Sequence, residues 1–193
     1  MKSNAIISVL VGLMVFASCE NMLEVEPKLS READRVIVDK NSAEAAVMGI
    51  YDGFQMNADD DVLAQVQLFM SELPSDNIIH TGTFTTYAEA ANNQLNAENV
   101  SVNVMWTNYY RLIQRANTVI HQLPGVASIA EADKNQLLGE AYFLRAYAYF
   151  QMVNFWGGVP LVLKNVEGAP PYEKPARSSK QEVYTQVEKD LTE

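Results

Sequence analysis

The segment from Ser128 to Trp156 restricts the fold of this chain more than any other. Leu137, Leu138, Ala141, Leu144, Ala148, Met152 and Phe155 recur at helical spacing and, at 100° per residue, share one arc. Phe143, Tyr147 and Phe150 fall on the opposite side. A helix that is apolar on both flanks has to be covered on both. The rest of the chain offers no convincing alternating strand pattern, so the covering elements are predicted to be helices. Ser128-Ile-Ala-Glu131 has the spacing of a capping box, and Gly157-Gly158 stops the pattern. Seven of the eighteen aromatic residues lie between Tyr142 and Trp156, at a spacing that suits a core rather than a sugar-stacking platform. Arg145 projects within the first arc, where an unpaired guanidinium is costly. It is expected to meet a carboxylate or several carbonyls and to serve structure rather than catalysis.

The remaining elements follow the same logic. A first helix is expected from Asn41 or Ser42, with Asn41 as cap and Glu44 three residues on, and with Ala43, Val47, Ile50 and Phe54 as its apolar face. Asp59-Asp60-Asp61 reads as a loop or a helix N-terminus, where carboxylates suit the positive end of the dipole. Val62, Val66, Phe69 and Leu73 form a second short stripe that Pro74 stops. Residues 74–100 lack clear periodicity and read as a long ordered loop, as plain disorder or as a stretch holding a short helix; long ordered loops often carry function. A third helix is predicted over 103–123, with Trp106, Tyr109, Ile113, Ala116, Ile120 and Leu123 at helical spacing before Pro124-Gly125. Asn117 beside that stripe needs hydrogen-bond partners and is expected to tie helices together. Gly157 to Pro175 is an irregular connection. Ser179-Lys-Gln-Glu182 then caps a last helix carrying Val183, Val187 and Leu191. Helices apolar on more than one side suit an all-α stack of helical hairpins, TPR-like in pattern.

The N-terminus has a different design. Lys2 supplies one positive charge, Ala5 to Phe16 is a twelve-residue apolar run, and the small pair Ala17-Ser18 precedes Cys19. At 1.5 Å per residue the run spans about 18 Å, short of the roughly 30 Å hydrocarbon core, so it reads as a cleaved export signal rather than a permanent span. Phe16-Ala17-Ser18-Cys19 resembles a lipobox: the small residues admit a peptidase and the thiol accepts a diacylglyceryl group. The expected organisation is a lipoprotein signal over 1–18, a lipidated Cys19 with a tether over 19–40, and a helical domain over 41–193 that continues in a longer protein. With removal of residues 1–18, 13 Lys+Arg face 24 Asp+Glu. That balance disfavours nucleic acid and anionic lipid as partners. One cysteine forms no intramolecular disulfide, and with only His80 and His121 a four-ligand zinc site is not expected. No cofactor is implied.

Three blocks resemble the SusD/RagB family, surface lipoproteins of Bacteroidota that work with TonB-dependent transporters. They are Trp106-Thr-Asn-Tyr-Tyr-Arg-Leu-Ile-Gln-Arg-Ala-Asn117, Leu138-Gly-Glu-Ala-Tyr-Phe-Leu-Arg-Ala-Tyr-Ala-Tyr-Phe150, and Trp156-Gly-Gly-Val-Pro160-Leu. Arg177-Ser-Ser-Lys-Gln-Glu-Val-Tyr184 and Asp190-Leu191 fit the same pattern. The resemblance implies the N-terminal part of a larger SusD-like helical scaffold with TPR-like units. It also implies a location on the outer membrane, lipid-anchored and exposed at the cell surface. Glu20 is similar to the acidic signals that direct such lipoproteins to the outer face. The implied role is capture of an oligosaccharide, or in some members a peptide, and delivery to a SusC-like TonB-dependent transporter. Trp106, Asn117, Glu140 and Arg145 are read as structural.

If the ligand is a glycan, aromatic faces would stack on sugar rings while amides and carboxylates satisfy hydroxyls. Tyr87, Asn92 and Asn93, in the aperiodic stretch, are the candidate ligand-binding residues. A scaffold lipoprotein that binds only proteins is one alternative. A glycan-degrading enzyme is another, but it needs two carboxylates held across a cleft, and the carboxylates here fall mostly on helix termini and solvated faces. No nucleophile elbow, phosphate loop or metal cluster appears in the sequence, so the expected activity is binding without catalysis.

Overall fold

A computed structural model describes residues 36–55, 63–75, 77–164 and 175–193. The leader, Cys19, most of the tether, Asp59-Asp60-Asp61 and Val62 lie outside these residues. Six α-helices are described, and no strand occurs among the described residues: α1 Lys40–Asp52, α2 Leu63–Glu72, α3 Thr85–Ala91, α4 Val100–Gln122, α5 Glu131–Trp156 and α6 Lys180–Asp190. Single 3-10 turns, Leu73–Ser75 and Leu123–Gly125, close α2 and α4. The architecture is all-α.

Each helix start is set by a local competition. Asp39 caps α1: its Oδ1 accepts from the Ser42 N–H at 2.8 Å, and Ser42 Oγ accepts from the Asp39 N–H at 3.0 Å. The cap therefore lies before the expected Asn41–Glu44 pair. Ile37, buried and donating its N–H to Gln122 Oε1, fixes the entry of the chain ahead of that pair. Asn99 caps α4 by accepting from the Val102 N–H, which starts this helix three residues before the predicted 103. The expected box at Ser128–Glu131 does not form. Ala130 is the N-cap of α5 and makes no side-chain bond. Burial of Ile129 between the two box residues sets the backbone there instead. At α6 the Ser179–Glu182 box is complete, with Glu182 Oε2 accepting from the Ser179 N–H at 2.7 Å and Ser179 Oγ from the Glu182 N–H at 3.2 Å.

The contacts fix how the helices run. Trp106 near the start of α4 meets Trp156 at the end of α5, and Asn117 late in α4 meets Arg145 in mid-α5, so the two helices form an antiparallel hairpin. Tyr184 reaches Asn154 and Asp190 reaches Arg145, which sets α6 antiparallel to α5. α1 lies parallel to α5, with Lys40 on Asp133 at 3.0 Å and the Phe54 ring 5.4 Å from Tyr147, edge to face. Tyr109, Leu112, Ile113 and Ala116 of α4 and Ala141, Tyr149 and Met152 of α5 form the centre of one continuous core. Complete burial of an aliphatic or aromatic side chain contributes about 1.5–3 kcal/mol, so this hairpin carries most of the fold.

A buried polar knot joins three elements. Arg145 donates to Asp190 through Nε at 2.8 Å and Nη2 at 2.7 Å, and to Asn117 Oδ1 through Nη1 at 2.8 Å. Asn117 Nδ2 in turn donates to the Val162 carbonyl at 2.8 Å. Tyr149 accepts from the Val162 N–H and donates to its carbonyl, and Tyr110 donates to the Pro160 carbonyl. The segment after α5 is thereby laid over the hairpin without strand pairing. Glu140 accepts from Gln136 at 3.1 Å within α5, and burial, followed by the nearby Glu140 carboxylate, pushes the Tyr51 phenol of α1 above the ordinary tyrosine range.

One flank of α5 departs from expectation. Phe143 and Phe150, predicted to be covered, are 53% and 43% exposed, while Tyr147 between them is half-buried. The described helices bury most of one arc of α5, where only Leu138 and Phe155 are half-buried, and α6 covers the other only in part.

Candidate ligand-binding surface

The end of α5 and the start of α4 build an aromatic corner. The Trp106 and Trp156 rings meet edge to face, 5.2 Å apart at 86°. Tyr110 lies 5.1 Å from Trp106, and Phe155 lies 5.7 Å from Trp156. Beside this corner is a cavity of about 460 Å³, bounded by Met70 of α2, Leu95 and Asn96 of the connection to α4, Asn103, and the two indoles. Its walls are apolar surfaces and rings, with the carboxamides of Asn96 and Asn103 as polar groups. Such a lining fits a neutral molecule that presents both an apolar face and hydroxyls.

The turn after α5 holds Trp156 in place. Gly157 has φ +71°, a conformation that favours glycine, and so reverses the chain directly after the helix. A Cβ on Gly158 would collide with the Ser178 carbonyl, so the 177–178 backbone passes directly over this residue. Arg177 donates through Nε to the Gly158 carbonyl at 2.6 Å and through Nη2 to the Trp156 carbonyl at 2.7 Å. The Ser178 N–H donates to the Val159 carbonyl. Burial pushes the phenols of Tyr109, Tyr110 and Tyr149 well above the ordinary tyrosine range, so they stay neutral donors behind the corner.

The sequence-predicted site residues occupy different places. Tyr87 is on α3, not in a loop, and it is half-buried with its ring 5.0 Å from Phe69. His80 and Phe84 flank the same ring at 6.2 and 6.0 Å. Asn92 is the C-cap of α3, and Asn93 follows at φ 55°; both are exposed. None of the three lines the cavity, whose wall begins at Leu95. Trp106, read as structural, is half-buried and lines it. Asn117, Glu140 and Arg145 lie in the polar links described above, away from it. Asn99 is a buried residue that sequence reasoning passed over: Nδ2 donates to the Thr86 carbonyl and to Glu89, while Oδ1 caps α4, so it fixes α3 beside the cavity wall. Among the described residues no group of three His, Cys, Asp or Glu side chains could hold a metal ion, and no helix is long and apolar enough to cross a membrane.

Comparison with known proteins gives this architecture its kinship. The SusD-like family model described as "starch-binding associating with outer membrane" matches residues 22–193. The chain belongs to the SusD-like family. The SusD-like protein P38 of Formosa agariphila is 33% identical over 187 residues, which are 96% of this chain and 35% of that protein. The chain thus spans about a third of the length of that curated relative. Among solved SusD-like structures, a SusD superfamily protein from Bacteroides fragilis aligns with TM-score 0.73 at 21% identity, over 82% of this chain and 39% of its own. A laminarin-binding SusD-like protein aligns with TM-score 0.66 at 23% identity, over 81% of this chain and 33% of its own. Surface glycan-binding protein A from Bacteroides uniformis aligns with TM-score 0.68 at 20% identity, over 78% of this chain and 33% of its own. These likenesses show that the all-α architecture has the SusD-like fold over about four-fifths of the chain. The second tryptophan of the corner, Trp156, was legible as part of the Trp156–Leu161 block, although its spacing alone marked it as core.

Proposed function

We propose that the full-length protein is a cell-surface lipoprotein that captures an oligosaccharide and passes it to a SusC-like TonB-dependent transporter. Residues 1–18 would direct export, Cys19 would carry the lipid that anchors it in the outer membrane, residues 19–40 would connect lipid to fold, and 41–193 would form the N-terminal helical domain. The observation that carries this reading is the family match across residues 22–193. The laminarin-binding and glycan-binding neighbours support a glycan over a peptide. In this reading the protein binds without turnover and without a cofactor.

Within these residues the corner of Trp106 and Trp156 is the better candidate contact, with Tyr87, Asn92 and Asn93 as an outlying surface. Two indoles offer apolar faces to a pyranose ring, while Asn96 and Asn103 can donate to and accept from hydroxyls. The test is calorimetric titration of the full-length protein, lacking residues 1–18, with laminarin and a panel of other oligosaccharides. The expected result is saturable heat with at least one glycan and a loss of at least about tenfold in affinity for Trp106→Ala, equivalent to about 1.4 kcal/mol. Absence of heat with every glycan would remove the capture role, and unchanged affinity in Trp106→Ala would remove the corner from it.

A further inference from the structure

The cavity beside the aromatic corner changes in polarity from mouth to floor. The thioethers of Met70 and Met105, 4% and 1% exposed, lie deepest, and the half-buried Val102 and Phe155 rise from them. Asn96 and Asn103 are exposed and stand at the mouth. Asn103 makes no side-chain bond among the described residues, and Asn96 commits only its Oδ1, which accepts from the Glu98 N–H at 2.8 Å. Every lining residue is uncharged. Side chains that can bond hydroxyls are therefore confined to the entrance, and those at depth offer apolar surface alone.

A ring edge that carries only hydroxyls fits this gradient poorly. The C–H faces of a pyranose suit the two indoles, but its hydroxyls project around the perimeter, so whichever edge enters first brings one against the thioethers. A thioether is a weak acceptor and donates nothing. A hydroxyl held there without a partner loses its bonds to water and gains none in return. A methyl group at the same point reverses the balance: it needs no partner, and methionine side chains adapt their shape to it. In an apolar pocket one such group discriminates by about 10–200-fold.

We infer that the cavity receives a methyl-bearing sugar, methyl group first. The methyl is the C6 carbon of a 6-deoxyhexose or the end of an O-acetyl ester. It seats on Met70 and Met105, the ring lies along the indoles, and the hydroxyls left at the mouth meet Asn96 and Asn103. The inference rests on the glycan-capture reading and goes beyond it by naming the class of glycan.

The test is calorimetric titration of the full-length protein, lacking residues 1–18, with matched pairs of oligosaccharides. In one arm rhamno- and fuco-oligosaccharides are each set against the counterpart that keeps the 6-hydroxyl. In the other an O-acetylated xylo-oligosaccharide is set against the same sample after mild alkaline deacetylation. The methyl-bearing member of at least one arm is expected to bind about tenfold tighter or more. The arm in which the preference appears identifies the source of the methyl. Val102→Asn, at a half-buried position, sets a carboxamide against the inserted group and is expected to bring the ratio below about threefold. Saturable heat with ratios below about tenfold in both arms overturns the proposal and leaves glycan capture standing. A preference that stays above about threefold in Val102→Asn overturns this cavity as the seat. Absence of heat with every glycan removes the capture reading and this inference with it.

Discussion

Replacing Asp190 with Ala probes the buried polar knot directly. Arg145 is 4% exposed and Asp190 is 2% exposed. Three of the guanidinium nitrogens are engaged, two by the carboxylate and one by Asn117. Without the carboxylate, Arg145 keeps its charge in a site closed to water, with only Asn117 and the face of Tyr142, 5.4 Å from the guanidinium carbon, to offset it. Breaking a buried pair in this way costs about 3–5 kcal/mol. In a cooperative unit of this size each kcal/mol lowers Tm by about 2–4 °C, so a loss on the order of 10 °C is expected. Urea unfolding of the single variants and of the double variant Arg145→Met/Asp190→Leu forms the necessary cycle. The double variant removes both charges and leaves apolar groups of similar size, so it is expected to regain most of the loss. A cost below about 1 kcal/mol for Asp190→Ala, or a double variant as unstable as the two singles summed, would refute the reasoning that the knot is closed and mutually compensated.

Three further outcomes follow from particular contacts. Gly158→Ala drives a methyl group into the Ser178 carbonyl and is expected to cost about 1–3 kcal/mol in urea unfolding. Ser179→Ala removes the cap of α6 and is expected to cost about 1 kcal/mol by the same measurement. The Ser179 side chain and N–H hold the Glu182 carboxyl below the usual carboxylate range, so the bonds stabilise the fold above the unfolded pKa and fade as pH falls through the lowered folded value. NMR titration should show Glu182 moving back up in Ser179→Ala. On the lipoprotein reading proposed above, Cys19→Ala would remove the acyl attachment, whose buried methylenes contribute about 0.8 kcal/mol each, and should shift the protein from the membrane to the soluble fraction after cell fractionation.

The helical plan was legible where burial and local spacing agreed. α4 and α5 carry apolar stripes of more than twenty residues, long enough for periodicity to override local detail, and the Ser179–Glu182 box needs only four residues to form. Arg145 could be read as a residue in need of a carboxylate, but nothing local pointed to Asp190, forty-five positions away. The cap of α1 was misplaced because Asp39–Ser42 and Asn41–Glu44 overlap, and the burial of Ile37 that decides between them is tertiary. α3 stood only as an unplaced short helix among the alternatives for residues 74–100, because it is seven residues long and buries only Ala90. That short helix moved Tyr87 out of the loop in which it was expected, and the cavity wall came from the next stretch of chain, Leu95 to Ala97. The cavity joins residues from α2, α4 and the end of α5, and no single window of sequence holds them together.

The clasp formed by Arg177 and Ser178 on residues 156–159 has a bearing on how this part of the family can diversify. It fastens the two ends of the span between Val159 and Arg177, so the register of α6 on α5 is decided at the fastening and not by the number of residues enclosed. The entropy of closing a loop grows only slowly with its length, by about 0.6 kcal/mol for each doubling. Insertions and deletions after Lys164, past the Pro160, Val162 and Lys164 carbonyls that Tyr110, Tyr149 and Asn117 hold, and before Arg177 can therefore accumulate at little thermodynamic penalty, leaving the indole of Trp156 and the helices on either side where they are.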